Sequence, residues 1–204
     1  LTPVVMALDM PRVRMLLADD VGLGKTIEAG LITSELMARN KADRILIITP
    51  ANLREQWREA FNYFFHIDAD IISRRHRKAM EKEIPPGTSP WEHFSKLIVS
   101  IDYAKQNSVR HEILDQDWDL VIIDEAHQAA KPHESGANET VDMQRWDFAT
   151  DITGHAEHCL LLTATPHNGY TDSFASLVRM LDVDAVSGPR YDPTIHRNVA
   201  QKHV

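Results

Sequence analysis

"LLADDVGLGKTIEAG" (residues 16–30) joins a short apolar run to a helix-forming run through a turn that carries Gly22 and Gly24. Phosphate binding requires that order of strand, glycine turn and helix. Backbone N–H groups of the turn and of the helix N-terminus converge on one place, and the helix dipole favours an anion there. The glycines let the backbone curl with no Cβ in the way. Lys25 would reach the β- and γ-phosphates of a nucleotide, and the Thr26 hydroxyl would ligate Mg²⁺. The predicted cofactor contacts are therefore Asp20, Val21, Gly22, Leu23, Gly24, Lys25 and Thr26. One residue departs from the strict pattern G-x-x-x-x-G-K-[ST], which has glycine where this chain has Asp19. The rival dinucleotide pattern G-x-G-x-x-G fails, because position 27 is Ile.

On either side of this stretch the same alternation repeats. "RMLLAD" (14–19), "RILIIT" (44–49), "DADIIS" (68–73), "KLIVSI" (96–101), "DLVIID" (119–124) and "CLLLTA" (159–164) read as strands buried on both faces. Residues 25–39, 52–65, 102–115, 140–156 and 171–181 carry helical spacing. Strands alternating with helices predict an α/β fold with a mainly parallel sheet between two helical layers. Ligands in such folds bind beyond the carboxyl ends of the strands. That puts Asp19–Thr26, Thr49–Pro50, Asp124–Glu125 and Thr163–Pro166 on one rim. Residues 83–91 and 130–139 read as polar loops. We read residues 1–181 as one lobe and 182–204 as a linker leaving it.

"DLVIIDEAH" (119–127) supplies the acids. Asp124 ends a buried strand where a phosphate-loop enzyme places the carboxylate that holds Mg²⁺. Glu125, one residue on, would polarise the attacking water as general base, with Lys25 the second catalytic group. Carboxylates at the end of an apolar strand need partners, because an unpaired buried charge is costly.

Taken together, "ADDVGLGKT", "ITPANLREQW", "DEAH" and "LLTATPHNG" resemble, in this order, the first RecA-like lobe of superfamily 2 helicase-like ATPases. The resemblance runs from about residue 10 to 181. "LLADDVGLGKTIEAGLI" is similar to the Swi/Snf branch, whose loop opens with an acidic pair, so Asp19 is the residue that branch implies. "GKTIEAGLI" with "TATPHNGY" is similar to the bacterial members typified by the polymerase-recycling ATPase RapA (HepA) and the antiphage protein DrmD. The resemblance implies ATP and Mg²⁺ as cofactors, and a DNA-dependent ATPase that translocates on duplex DNA. It also implies a second lobe of the same chain, and transcription or defence-system proteins as further partners. His127 would link the nucleotide site to Thr163 and Thr165 of "TATP". Thr49 and Pro50, with neighbouring backbone N–H groups, would hold the phosphates of one nucleic-acid strand, and Ser100 of "SIDYAK" would add a contact. Two alternatives stay open: a strand-separating or RNA-dependent helicase, and a nucleotide-gated binding module without turnover.

The family's adenine-reading Gln lies upstream of the phosphate loop, and no Gln precedes Gln56 here. Position 1 is Leu, so we read the chain as part of a longer protein. Without the second lobe's arginines, which are worth orders of magnitude in rate, the lobe alone is expected to turn over little ATP.

The bulk numbers exclude other classes. Of 204 residues, 43% are hydrophobic and 25% charged, the balance of a globular chain, and no apolar run approaches the ~20 residues that span a membrane. One cysteine, Cys159, excludes an internal disulfide framework and suits a bacterial or archaeal cytoplasm. The net charge of −8 argues against coating nucleic acid by bulk electrostatics, though not against local phosphate contacts. "SRRHRK" (73–78) reads as a solvated basic face. His155, His158, Cys159 and His167 lack a C-x-x-C pair and read as structural rather than as zinc ligands. Trp57 and Phe61, four apart on one helix, read as core, as do Trp91, Trp118 and Trp146.

Overall fold

The structure, a computed structural model, describes residues 2–18, 24–132, 139–165, 171–188 and 194–196. Its centre is a six-stranded sheet built from β1 (Arg14–Ala18), β2 (Ile45–Thr49), β3 (Asp70–Ile72), β4 (Lys96–Ser100), β5 (Leu120–Ile123) and β6 (His158–Thr163). The strands lie in the order β1-β6-β5-β2-β4-β3, and every pairing is parallel. All residues of β2, β5 and β6 are buried, as unbroken Val/Ile/Leu runs require of strands covered on both sides.

Because strand side chains alternate, the sheet feeds two separate cores. Met15, Leu17, Ile45, Ile47, Ile98 and Leu160 pack beneath α1 (Thr2–Asp9), α2 (Gly24–Ala38) and α3 (Arg54–Phe65). Leu16, Leu46, Ile48, Val99, Val121 and Leu161 pack beneath the other layer. That layer includes α4 (Arg74–Glu83), α5 (Pro90–His93), α6 (Ile101–Ala104), α7 (Asn107–Leu114), α8 (Glu139–His155) and α9 (Thr171–Leu181). The expected three-layer α/β architecture is therefore the observed one. On the first face the crossing of α2 and α3 depends on Gly30, where a Cβ would overlap the Phe65 ring. A mid-helix glycine is otherwise unfavourable, so close packing explains it.

The structure departs from the predicted elements in several places. The helix expected at 102–115 is two helices, because Gln106 takes an extended backbone and its side-chain amide donates to the Asp102 carbonyl at the end of α6. The basic run 73–78 forms α4, capped by the Ser73 hydroxyl. Only Met80 of that helix is buried, while Arg77 forms a two-pronged pair with Glu112 at 2.8 and 2.9 Å. Residues 183–187 turn back onto α9, where Ala185 and Val186 pack on Ala175 and Val178, and β7 (Val186–Ser187) pairs with β8 (Thr194–Ile195).

Below the sheet, at the amino ends of the strands, Arg14 is buried and its guanidinium reaches four carbonyls. It donates to Thr153 (2.8 Å) and Ala156 (3.1 Å) at the end of α8, and to Met180 (2.6 Å) and Leu181 (2.8 Å) at the end of α9. Helix C-termini carry orphan carbonyls and partial negative charge, so one planar cation satisfies both ends and ties them to β1. We predict that Arg14→Leu lowers the unfolding free energy by at least about 3 kcal/mol, since several acceptors lose a charged donor at once. Arg14→Lys should recover less than half of that, because an ammonium cannot span both helix ends. Urea denaturation of the three proteins measures both values.

Beside it, the Val13 N–H donates to His158 Nδ1 at 3.0 Å, so the imidazole is held neutral, and burial pushes its pKa below the ordinary value. A depressed imidazole contributes stability that is complete at higher pH. The contribution is lost as pH falls below about 6.5, where the unfolded chain takes up a proton that the folded one resists. His158→Asn keeps an acceptor for Val13 without a titrating ring. It should flatten this acid-side loss in denaturation midpoints measured across pH.

Candidate active site

The strand order brings the motif-bearing exits together. β6 lies between β1 and β5, with Ala18 opposite Thr163 and Ile123 opposite Leu161. The phosphate loop and the D-E-A-H segment therefore flank the exit of "TATP". On the other side of β5 lies β2, and the Asp124 N–H donates to the Ile48 carbonyl at 2.8 Å, extending that ladder by one bond.

Lys25 and Thr26 open the 15-residue helix α2 and are both buried. A buried cation and hydroxyl at a helix N-terminus form the donor set that a Mg²⁺-bound polyphosphate requires. Gly24, the first residue of α2, is exposed. Asp20, Val21, Gly22 and Leu23 lie outside the described residues, as do Asp19 and His167.

Asp124 is held by three donors. The Trp57 indole N–H (2.7 Å) and the Thr49 hydroxyl (3.1 Å) both reach Oδ2, and the Glu125 N–H reaches Oδ1 (2.9 Å). A carboxylate offers about four acceptor positions, so one is left, on Oδ1. That arrangement fits a ligand that takes its metal, or a metal-bound water, through a single oxygen.

Glu125 sits in the left-handed region, with φ 49° and ψ 45°, where a residue with a Cβ is strained. The turn ends the strand and starts a short 3₁₀ segment, Ala126–Ala129, closed by Gln128 N–H donating to the Glu125 carbonyl. This brings His127 Nδ1 to 3.3 Å from Glu125 Oε2 and 3.1 Å from Thr163 Oγ1. The contact with Thr163 Oγ1 is a hydrogen bond. Thr163 Oγ1 also accepts the Thr165 N–H at 3.1 Å. His127, Thr163 and Thr165 are thus joined by hydrogen bonds from the turn after β5 to the segment after β6, with the Glu125 carboxylate close beside His127.

The nucleic-acid candidates are placed less uniformly. Pro50 is half-exposed, whereas Thr49 and Ser100 are buried, and the Thr49 hydroxyl points at Asp124. Trp57 packs on Phe61 in the core, with centroids 5.3 Å apart, as its spacing implied. Its bond to Asp124 was not foreseen. The only sequence signal is that a buried indole needs a partner for its N–H. His155 Nδ1–H donates to the Asp151 carbonyl, His158 accepts from Val13, and burial pushes the Cys159 thiol up to about 11. Among the described residues, no helix is long and apolar enough to cross a membrane.

Residues 4–202 match the family model of the SNF2-related domain. The chain belongs to that family. It is 37% identical over 176 residues to the RNA polymerase-associated protein RapA of Yersinia enterocolitica, covering 84% of this chain and 17% of that protein. It is 35% identical over 174 residues to the RapA of Serratia proteamaculans, covering 83% of this chain and again 17% of the relative. The chain therefore spans about a sixth of the length of the curated relatives it matches. Among solved structures it is similar to the Sulfolobus solfataricus SWI2/SNF2 ATPase core in complex with dsDNA, with TM-score 0.65 and 19% identity over 88% of this chain and 33% of that one. The Pyrococcus furiosus Hef helicase domain gives TM-score 0.63 and 19% identity over 88% and 35%. The likeness identifies the fold as a RecA-like lobe of the SNF2 kind.

Backbone strain at Glu125 yields a matched comparison. Glu125→Ala and Glu125→Gly both remove the carboxylate, but only Ala keeps the Cβ that the left-handed conformation penalises. The Gly variant should be about 1 kcal/mol more stable than the Ala variant in urea denaturation, the reverse of the usual order.

Proposed function

We propose that this lobe binds ATP with Mg²⁺ and, within the longer protein, hydrolyses it to drive movement along duplex DNA. The placement of Glu125 beside His127, which is hydrogen-bonded through Thr163 to Thr165, together with the buried Lys25–Thr26 end of α2, carries the reading. Lys25 would bind the phosphates, while Thr26 and Asp124 would hold the metal. Mg²⁺, when bound, supplies charge stabilisation on the transferring phosphoryl group. Glu125 would accept a proton from the attacking water, with His127 orienting its carboxylate. The same His127, bonded to Thr163, would transmit the state of the nucleotide to Thr165 and the surface beyond it. Asp20, Val21, Gly22, Leu23 and Gly24 would complete the phosphate cradle.

Duplex DNA is favoured as the track by the SWI2/SNF2 core solved with dsDNA. The RapA relatives, named as RNA polymerase-associated, favour transcription complexes over defence-system proteins as the further partner. Residues 1–181 would be the first lobe and 182–204 the way to a second, whose arginines would complete the site. Pro50 and the backbone around it are the best exposed of the candidate nucleic-acid contacts, with Ser100 behind them.

ATPase rates of the full-length protein, measured without nucleic acid and with duplex DNA, single-stranded DNA or RNA, test this. Duplex DNA should stimulate at least about tenfold, and stimulation by RNA alone would overturn the proposed track. Lys25→Ala should abolish ATP binding in calorimetry. Glu125→Gln should keep binding and lose roughly 10²–10⁴-fold in turnover, the usual worth of a general base. Persisting hydrolysis would remove Glu125 from that role.

A further inference from the structure

Three tryptophans are buried, and they use their indole N–H groups differently. Trp118 donates to the Ile113 carbonyl at 2.9 Å, and Trp91 Nε1 has no hydrogen-bond partner among the described residues. Trp57 donates instead to a carboxylate, Asp124 Oδ2, at 2.7 Å, a length typical of a charge-assisted bond. Its ring is 2% exposed and packed against Phe61, so the donor is fixed by the core and not by a mobile surface side chain. The Thr49 hydroxyl, itself buried, takes the second position on the same oxygen. Both acceptor sites of Oδ2 are thereby occupied by groups that cannot follow the carboxylate if it turns.

We propose that Trp57, assisted by Thr49, is a positioning residue for Asp124. It locks the carboxylate rotamer so that the one remaining acceptor site, on Oδ1, keeps a fixed direction. The inference rests on the reading of Asp124 as the Mg²⁺ acid. Groups that orient a ligating carboxylate tune metal affinity without touching the metal, and their loss costs about 10–100-fold in that affinity. The placement has a second consequence. Thr49 and Trp57 are the two ends of "TPANLREQW", a segment that is half-exposed at Pro50 and exposed at Ala51 and Asn52. Any displacement of that segment by a bound strand alters both bonds to Oδ2. Nucleic acid would then reach the metal acid through α3, on the opposite side of β5 from the His127–Thr163 path.

Trp57→Phe in the full-length protein removes the donor and keeps an aromatic ring in the core. Two quantities are measured: ATPase rate against free Mg²⁺ in the presence of duplex DNA, and affinity for a fluorescent ATP analogue in EDTA. The expected result is a roughly tenfold higher Mg²⁺ concentration at half-maximal rate, with metal-free nucleotide affinity unchanged. A packing defect alone would leave the Mg²⁺ requirement where it was, or weaken nucleotide binding in EDTA as well, and either outcome overturns the proposal. Asp124→Asn separates the two layers of the argument, since it must raise the Mg²⁺ requirement more than Trp57→Phe does. If it leaves the requirement unaltered, Asp124 is not the metal acid and the underlying reading falls first. Should circular dichroism show that Trp57→Phe does not fold, Thr49→Val carries the same test. It keeps shape and burial while removing one donor, and an unchanged Mg²⁺ requirement there is equally decisive against positioning.

Discussion

An ionised carboxylate at the end of a strand buried on both faces is the constraint from which the geometry of this rim follows. β5 is four apolar residues with no exposed position, and Asp124 comes directly after it. Asp124 is half-buried, and donors reach it from three directions. β2, the neighbour on one side, ends in Thr49 and leads into α3, which returns Trp57 over the same spot. The chain's own next residue supplies the third donor, Glu125 N–H. The two contacts to Oδ2 would not exist if β5 paired differently. The fold and the acid site are thus one solution to one electrostatic problem.

The opposite edge of the sheet solves the complementary problem. Parallel strands make α8 and α9 run down to the amino ends of the strands, where their last carbonyls have no helical partner. Arg14 enters there from β1 and takes four of them. β1 is therefore pinned at its start by a cation and leads, five residues later, into the phosphate loop. A lobe that would hold a nucleotide at one end of a strand, as proposed above, gains from having the other end anchored to two helices.

Much of this could be read in the chain itself. Short unbroken apolar runs such as those in "DLVIID" and "CLLLTA", alternating with helical patterns, point to doubly covered strands, so the parallel sheet and its rim were legible, as were the motifs on it. What was not legible depended on side-chain direction in three dimensions. Thr49 and Trp57 are eight positions apart and meet at one oxygen only because α3 folds back over β2. Gly30 gives no sign of the Phe65 ring that requires it. The basic run at 73–78 has no apolar stripe, so nothing in its pattern announces α4, whose stability comes from a serine cap and from Arg77 bonded to Glu81 and Glu112. Gln106 breaks a helical pattern that runs through it, because its side chain substitutes for a backbone donor.

The strained turn at Glu125 explains why two adjacent acids can do separate work. Asp124 directly follows the strand and faces the α3 layer, toward Thr49 and Trp57. At Glu125 the backbone swings into the left-handed region, and the carboxylate is delivered to the β6 side, beside His127 and Thr163. The strain is sustained because the strand before it and the 3₁₀ segment after it fix the chain on both sides. Asp124 is thereby connected to β2 and Glu125 to β6. One dipeptide stands between the two surfaces through which a nucleotide and a nucleic acid would have to exchange information.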